Sequence, residues 1–203
     1  MNDPNYIFDI EQGSDEWYAA RLGMFTGSDF HIFLGNSKTK EDKLWEKLSE
    51  RRYQDSDVEE FFNPYVERGK DLEHEAKRFY SAVYETDVKE VGLVEDREFF
   101  PGYVVCSPDG LVGDDGIIEI KCLVAKYTTQ YTEGKHAKEF YIEPKYRTQV
   151  QFNLLVTQRK WCDFIYYHPR VGLRVQRIER DPMAQQLILD TLAECVKFME
   201  DNL

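Results

Sequence analysis

Apolar residues recur at three- and four-residue spacing in four long stretches of the chain, and this spacing is typical of amphipathic helices. The four stretches are residues 41–54, 63–85, 143–158 and 182–201. Two shorter helices are predicted upstream of them, over residues 14–23 and 26–35. Ser14 is the predicted N-cap of the first, and Thr26 or Ser28 caps the second, because a hydroxyl can accept a hydrogen bond from a free backbone N–H.

Elsewhere the pattern changes to short β-branched and aromatic runs separated by turn residues, which indicates strands. The runs cover residues 88–96, 103–112, 116–122, 161–169 and 174–181. The first three are predicted to form a meander. The order of helices, strands, helix, strands and helix predicts an α/β (α+β) fold in which helices flank a central mixed sheet. No repeat, low-complexity stretch or long Gly/Ser/Pro linker interrupts the sequence, so one domain is expected over residues 1–203.

The composition, 42% hydrophobic and 14% aromatic, is that of an ordinary globular protein. No apolar run approaches the roughly 18 residues that a membrane helix needs. The first residues have neither the basic start nor the apolar core of a signal peptide. The four cysteines form no CxxC pair, so reduced core thiols are expected rather than disulfides or a zinc site. These features predict a cytoplasmic protein with no membrane partner.

The net charge of −12 argues against a nucleic-acid-binding protein, since such domains usually carry a basic surface. Part of the acidity is local, as in residues 54–62, and positive charge is concentrated in residues 36–43, 50–52 and 170–177. An enzyme that gathers carboxylates around metal ions can be acidic as a whole and still focus positive potential into one channel. The charge therefore makes a DNA-binding function less expected without excluding it.

Acidic side chains stand among β-branched residues in the stretch CSPDGLVGDDGIIEIKC, and carboxylates are costly to bury unless they are paired or bound to a metal. Asp109 is predicted to end one strand, while Glu119 and Lys121 share one face of the next. Ile118 and Ile120 then face the core. Two carboxylates at one sheet edge suit Mg²⁺ or Mn²⁺. The ammonium can hold a water and neutralise charge that develops on a phosphate.

Two other positions are candidates for the same site as this acidic group. Glu73 shares a helical stripe with Ala76 and Tyr80 and would add a further acid near the metal, although a solvated surface glutamate is the alternative. Arg21 precedes a predicted helix start at residues 26–28. Backbone N–H groups, a hydroxyl and a guanidinium would form an anion pocket there, and a plain capped helix is the alternative.

Gln149 and Gln151 are an unusual pair on an otherwise apolar predicted helix. A buried glutamine needs hydrogen-bond partners, which a water or phosphate at the metal site would supply, whereas a glutamine on the helix surface is solvated. For the acidic group itself, the alternative is a hairpin turn at Asp109 with Glu119 and Lys121 paired on a solvent-exposed strand face.

The chain carries five ordered motifs: W-x3-R-L-G-x2-T-x-S, G-x3-E-x2-A, S-P-D-G-L, E-I-K-C and Q-V-Q. This set resembles the phage lambda exonuclease (YqaJ-like) family, within the PD-(D/E)XK nuclease superfamily. The resemblance runs from about residue 14 to about residue 182 and includes VT at 156–157 and IERD at 178–181. Residues 36–66 match less closely.

The resemblance implies the fold of that superfamily and a role for individual residues. Asp109 and Glu119 would bind Mg²⁺, two ions per active site, with the Ile120 carbonyl as a further ligand. Lys121 would position or activate the attacking water. Glu73 matches a helix glutamate that stands beside the metals in the family.

The same resemblance implies the substrate and the reaction. Gln149 would help to hold the nucleophile, and Arg21 and Ser28, with Thr26 beside them, would receive the 5′-terminal phosphate of double-stranded DNA. The implied reaction is stepwise 5′→3′ hydrolysis of one strand, which yields 5′-mononucleotides and a 3′ single-stranded overhang.

Family analogy also implies partners. Enzymes of this family form homotrimeric rings, and a single-strand annealing protein would load onto the overhang in phage recombination. Lys38 and Lys40 are predicted on charge alone to contact the duplex, with a solvated loop as the alternative. Two rival functions remain: an endonuclease or RecB-like nuclease that cuts internally, and a non-catalytic DNA-binding scaffold on the same fold.

Overall fold

The computed structural model describes residues 5–7, 9–35, 37–55, 64–133 and 141–203. The strands are β1 (Tyr6–Ile7), β2 (Val88–Lys89), β3 (Leu93–Glu95), β4 (Val105–Cys106), β5 (Gly110–Val112), β6 (Gly116–Lys121), β7 (Trp161–His168) and β8 (Gly172–Glu179). The helices are α1 (Asp15–Ala19), α2 (Ser37–Tyr53), α3 (Pro64–Tyr84), α4 (Ala125–Glu133), α5 (Pro144–Thr157) and α6 (Pro182–Asn202). None of these helices is long and apolar enough to cross a membrane.

The strands form two sheets. The larger has the order β2-β5-β6-β7-β8 and is mixed, because β6 and β7 run parallel while the other neighbours are antiparallel. The smaller sheet is antiparallel and has the order β1-β3-β4. The predicted α/β (α+β) class, with a central mixed sheet and flanking helices, is confirmed. β6 is the middle strand of the larger sheet, so both of its edges are hydrogen-bonded to neighbouring strands.

Neighbouring residues of β6 contribute to two apolar layers on opposite faces of this sheet, as the alternation of side chains along a strand requires. Ile117 belongs to the layer that includes Phe152 of α5. Ile118 and Ile120 belong to the layer under α3, with Ala76. The predicted inward orientation of the two isoleucines is therefore confirmed, and the opposite face of the strand is left for its charged residues.

The four long predicted helices correspond to α2, α3, α5 and α6, which confirms the reading of their apolar spacing. Ser14 is the N-cap of α1, as predicted: its Oγ accepts a hydrogen bond from the Trp17 N–H at 3.2 Å. Asp181 caps α6 in the same way, and Pro182 occupies the first turn, where its missing N–H is not needed.

The predicted helix over residues 26–35 is wrong. Only Phe30–Ile32 forms a single 3₁₀ turn, and its N-cap residue is Asp29 rather than Thr26 or Ser28. Upstream of it, Phe25 bridges to Val104 beside β4, and residues 27–29 form a turn. The Thr26 and Ser28 hydroxyls contact each other at 3.1 Å instead of capping a helix.

The predicted meander of residues 88–96, 103–112 and 116–122 is wrong for its first two runs, whereas the turn before the third run does join an antiparallel pair, β5 and β6. Residues 88–96 form β2 and β3, and residues 103–112 form β4 and β5. In each case one strand belongs to the larger sheet and the other to the smaller sheet. Gly92 marks the first division, since a Cβ there would lie 2.0 Å from the Ile10 carbonyl oxygen. Pro108, which has no N–H for a sheet ladder, lies in the second. The short elements β1 and α4 were not predicted.

A buried carboxylate joins α3 to the larger sheet. Asp163 on β7 is 2% exposed and accepts two hydrogen bonds from the Arg177 guanidinium on β8, both at 2.8 Å. The Tyr80 hydroxyl on α3 donates to the same carboxylate at 2.6 Å. The Arg177 guanidinium also stacks on Trp161, 3.5 Å from the ring centre. This cluster fixes the position of α3 against the strands.

We expect Tyr80→Phe to lower the free energy of unfolding by about 2 kcal/mol, because it removes a hydrogen bond to a buried carboxylate. Urea denaturation of the purified variant measures this loss. Tyr84→Phe is the matched control: its half-exposed ring stacks near Tyr80, and its effect should stay within about 0.5 kcal/mol. Equal effects of the two substitutions would contradict the anchoring role of the hydroxyl.

Candidate active site

Asp109 and Glu119 are brought together where β5 pairs with β6. The Asp109 N–H donates to the Ile118 carbonyl oxygen at 3.2 Å, and its Oδ2 accepts a hydrogen bond from the Ile120 N–H. The expectation that Asp109 ends a strand is wrong, because β4 stops at Cys106 and Asp109 stands immediately before β5. The two carboxylates lie beside the middle strand of the sheet rather than at its edge: Glu119 is on β6, and Asp109 immediately precedes the neighbouring strand β5.

Glu119 is 1% exposed, and both of its carboxylate oxygens have partners. The Lys121 ammonium pairs with Oε1, and Asn153 Nδ2 on α5 donates to Oε2 at 3.1 Å. A buried carboxylate needs such donors, because burial removes its water. The alternative in which Glu119 and Lys121 pair on a solvent-exposed strand face is therefore excluded.

Burial raises the pKa of the Asp109 carboxyl well above its ordinary value, and the charges of Glu119 and Glu73 add to this effect. Burial likewise raises the pKa of Glu119, although Lys121 partly offsets it. Both carboxylates are thus electrostatically disfavoured where they stand. A site of this kind is stabilised by an additional positive charge.

Lys121 is maintained as a cation. Burial alone would lower its pKa, but the Glu119 and Asp109 carboxylates outweigh burial, so the pKa of Lys121 lies above the ordinary lysine value. Its Nζ also lies 5.0 Å from the centre of the Tyr146 ring, which is a cation–π distance. A protonated lysine suits the orientation of a water and the stabilisation of negative charge, but it cannot accept a proton.

Glu73 reaches the same region from α3. It lines a cleft of about 590 Å³ together with Trp17 and Asp109, so solvent and ligands have access to both carboxylates. Lys77, one turn further along α3, pairs with Glu73 at 2.9 Å and with Glu90 at 3.4 Å. Glu73 therefore lies beside the acidic group, as predicted.

Arg21 stands at the centre of a polar pocket. Its guanidinium donates to Ser107 Oγ at 3.2 Å and to Ser28 Oγ at 3.4 Å. It stacks on Trp17, 4.0 Å from the ring centre, and the Trp17 Nε1 donates to Ser107 Oγ at 3.0 Å. Thr26 borders the pocket through its contact with Ser28. A guanidinium fixed beside hydroxyls can bind a phosphate, but the predicted helix N-terminus contributes nothing, because no α-helix begins there.

The two glutamines of α5 differ in their surroundings. Gln151 donates to the Glu179 carbonyl oxygen and accepts from the Asp181 N–H, both at 2.9 Å. Its partners are therefore backbone groups, not a water or phosphate of the site. Gln149 lies one turn before Asn153, on the same side of α5. Its contact with the nucleophile stays a prediction.

Lys38 and Lys40 lie in the first turn of α2 rather than in a loop. The Lys40 ammonium pairs with Glu194 of α6 at 2.8 Å, and this is an exposed pair of the kind that costs little to break. Neither lysine lines the cleft that reaches Asp109. Their contact with a duplex stays a prediction. The role of the Ile120 carbonyl as a metal ligand also stays a prediction, because the group of Ile120 that contacts Asp109 is its backbone N–H.

Ser107 and Asn153 also belong to the site, although neither was predicted from the sequence. Ser107 stands in the S-P-D-G-L motif, two residues before Asp109, so its place in the motif was the available signal. Asn153 was signalled by its position four residues after Gln149, since residues at this spacing share one side of a helix. Its partner on β6 is 34 residues away in the chain.

The donor set fits a hard divalent cation. In the described ranges of the chain, no three His, Cys, Asp or Glu side chains are already grouped as metal ligands, and the Lys121 ammonium stands beside Glu119. The oxygens of Asp109 and Glu119 are nevertheless the ligands that Mg²⁺ and Mn²⁺ prefer. Glu73 is close enough to raise the pKa of Asp109.

Residues 16–160 match the YqaJ-like viral recombinase domain. The chain belongs to the YqaJ-like viral recombinase family. This family member is also similar to the alkaline exonuclease LHK-Exo from Laribacter hongkongensis, solved alone and in complex with dAMP. In both cases the identity is 30% and the TM-score 0.78, over 92% of this chain and 95% of the other.

A phage-related exonuclease from Haemophilus somnus 129PT shares the fold of this YqaJ-like protein at 15% identity, with a TM-score of 0.65 over 88% of this chain and 94% of the other. No curated protein matches the sequence. The family to which the ordered motifs pointed is thereby confirmed.

We expect Asp109→Asn to stabilise the metal-free protein. Because its pKa is raised, the Asp109 carboxyl favours folding at acidic pH, and this contribution is lost as the pH rises through the folded-state pKa. An uncharged side chain at neutral pH removes the repulsion from Glu119 and Glu73. Urea denaturation in EDTA should show an increase on the order of 1 kcal/mol in the free energy of unfolding.

Saturating Mg²⁺ should then separate the two proteins. A ligand at 100 times its dissociation constant stabilises the folded state by about 2.7 kcal/mol, and the wild type should gain this while Asp109→Asn gains far less. Asp115→Asn, at an exposed position in the turn before β6, is the control and should respond as the wild type does. An equal Mg²⁺ response in all three proteins would contradict a metal site at Asp109.

Proposed function

We propose that this YqaJ-family protein is a Mg²⁺-dependent exonuclease that hydrolyses one strand of linear double-stranded DNA in the 5′→3′ direction. It releases 5′-mononucleotides and leaves a 3′ single-stranded overhang. Family membership and the likeness to an alkaline exonuclease support a phage-type exonuclease. The direction and the products follow the family resemblance, and the arrangement of the site supports a metal-dependent reaction at a strand end.

The observation that carries the proposal is the short connection between the polar pocket and the acidic group. Ser107, which accepts hydrogen bonds from Arg21 and Trp17, is only two residues from Asp109. A terminal phosphate bound in the pocket therefore lies close to the carboxylates. A site that binds the end of a strand beside the reacting groups removes residues from that end, as an exonuclease must.

The chain's own groups divide the chemistry among them. Mg²⁺ or Mn²⁺, two ions bound by Asp109, Glu119 and the Ile120 carbonyl, would supply an activated water and neutralise charge on the leaving oxygen. Lys121 orients the attacking water and stabilises charge on the phosphate, and Gln149 helps to hold that water. The Ile120 N–H points to Asp109. In a strand, the carbonyl of a residue lies on the same side as the N–H of that residue, so the Ile120 carbonyl also faces this side, which supports its role as a metal ligand.

The proposal extends to the DNA and to the assembly. Arg21, Ser28 and Thr26 bind the 5′ phosphate, and Glu73 supports the metal surroundings from α3. Lys38 and Lys40 contact the duplex before it reaches the site. A homotrimeric ring with a positive inner wall would reconcile DNA binding with a net charge of −12. A single-strand annealing protein that receives the overhang completes a phage-type recombination system.

We expect Asp109→Ala to remove hydrolysis and Lys121→Ala to slow it by about 10²–10³-fold, because each removes a group that acts on the reacting phosphate. Binding of linear duplex, measured by gel shift in Ca²⁺, should remain near the wild-type value. Asp115→Ala serves as control and should keep full activity. Wild-type cleavage by either site variant would contradict the assignment of these residues.

We expect Arg21→Ala to slow degradation of 5′-phosphorylated ends by about 10- to 100-fold, which corresponds to the loss of a charge-assisted hydrogen bond. Ends with a 5′ hydroxyl should be affected little. Arg51→Ala is the matched control, since its guanidinium also stacks on an aromatic ring, that of Tyr103 at 4.2 Å, but lies outside the pocket. An equal loss on both types of end would contradict the role of Arg21.

The function itself is tested with a linear duplex that carries a 5′ phosphate on one strand only, beside a covalently closed circle, with and without Mg²⁺. The proposal predicts loss of the phosphorylated strand to mononucleotides and an intact circle. A nicked or linearised circle would assign the same residues to an endonuclease. Binding without Mg²⁺-dependent cleavage would favour a DNA-binding scaffold.

A further inference from the structure

Asn153 contacts both the acidic group and the segment that carries the anion pocket. Its Nδ2 donates to Glu119 Oε2 at 3.1 Å. Its Oδ1 lies against Gly27, where an added Cβ would stand 2.5 Å from that oxygen. The side chain is 1% exposed, so neither end of its amide faces solvent. One amide thus connects Glu119 to the residue between Thr26 and Ser28.

The position of Asn153 is fixed by its surroundings. The Thr157 hydroxyl donates to the Asn153 carbonyl oxygen at 2.7 Å within α5. Phe152, the preceding residue, also lies against Gly27 and packs on Phe30 with 4.9 Å between ring centres. The pocket segment is therefore seated on α5 by two consecutive residues, and a shift of the segment would move the amide that supports Glu119.

We propose that Asn153 is a positioning residue that couples the 5′-phosphate pocket to the catalytic carboxylate Glu119. The inference rests on the proposed function and assigns a specificity role within it. The amide nitrogen fixes the orientation of the carboxylate, while the amide oxygen sets the distance between α5 and Gly27. A phosphate held by Arg21 and Ser28 is thereby placed relative to Glu119.

Gly27 is explained by the same geometry. No positive backbone angle requires glycine there, whereas a methyl group would meet the Asn153 amide at 2.5 Å and the Phe152 ring at 3.2 Å. The close approach itself is what excludes a side chain. Gly27 and Asn153 should therefore act as a pair, and substitutions at the two positions should not be additive.

The first experiment is Asn153→Ala, for which binding of Mn²⁺ to the DNA-free protein is followed by calorimetry. Residues that orient metal ligands change affinity or activity by about 10- to 100-fold, and the variant should lose Mn²⁺ affinity and kcat in this range with little change in KM. Its preference for 5′-phosphorylated over 5′-hydroxyl ends should fall at least threefold. Unchanged Mn²⁺ affinity, or an unchanged end preference, would overturn the coupling.

The second experiment is a double-mutant cycle with Gly27→Ala. In the wild-type background the added methyl group should displace Asn153 and lower kcat on phosphorylated ends by about tenfold, an effect of the size expected when a charge-assisted hydrogen bond is lost. In the Asn153→Ala background the 2.5 Å contact is removed, and only the contacts of 3.2 Å to the Phe152 ring and 3.3 Å to the Gln149 carbonyl oxygen remain, so the effect of the methyl group should be under threefold. An equal loss in both backgrounds would overturn the proposed contact.

Gln151→Ala is the matched control on the same helix. It removes two buried hydrogen bonds to backbone groups of residues 179 and 181. It should lower the melting temperature but leave Mn²⁺ affinity, KM and the end preference unchanged. If the effects of Asn153→Ala came from a general loss of α5 packing, Gln151→Ala would change these three quantities as well. A wild-type protein that cleaves no DNA would contradict the proposed function, whereas unchanged Mn²⁺ affinity in Asn153→Ala would contradict this inference alone.

Discussion

The site depends on the burial of two carboxylates, Asp109 and Glu119, beside each other. Burial and mutual repulsion raise the pKa of both groups, so the fold must supply compensation. The Ile120 N–H supplies it to Asp109, and Lys121 and Asn153 supply it to Glu119. The three donors come from two elements: the backbone and a side chain of β6, and a side chain of α5. The compensation is partial, and this is the electrostatic argument for the proposed divalent cation at this site.

The middle position of β6 makes this arrangement possible. Successive side chains of a strand point to opposite faces, so Ile118 and Ile120 pack beneath α3 while Glu119 faces α5. The same strand therefore contributes to a hydrophobic layer and to the reactive group. The layer beneath α3 is secured by the hydrogen bond from Tyr80 to the buried carboxylate of β7, and α3 in turn carries Glu73 to the cleft. Packing beneath α3 thus fixes the position of Glu73 in the cleft beside Asp109.

Local pattern was sufficient to predict the long helices and the orientation of β6, because each of these elements repeats one apolar period over several turns or residues. It also predicted that Asp109, Glu119 and Lys121 lie close together, because a single hairpin sets their separation. It failed over residues 26–35, where capping residues suggest an α-helix but the chain, which contacts α5 and follows the bridge beside β4, forms turns and a single 3₁₀ turn. Asn153 was missed for a related reason: its partner lies on another element, and only the packing of α5 on the sheet joins them.

The segment from Ser107 to Asp109 connects the two halves of the site, and it is rigid. Pro108 has a fixed φ and is buried, and its carbonyl oxygen accepts a hydrogen bond from Gln12 at 3.0 Å. Ser107 is fixed by the Trp17 indole at the other end. If the pocket binds a terminal phosphate, the distance from that phosphate to the carboxylates cannot vary much. A fixed distance of this kind makes each cleavage remove the same length of strand, so the uniform product of the proposed reaction follows from the stiffness of three residues.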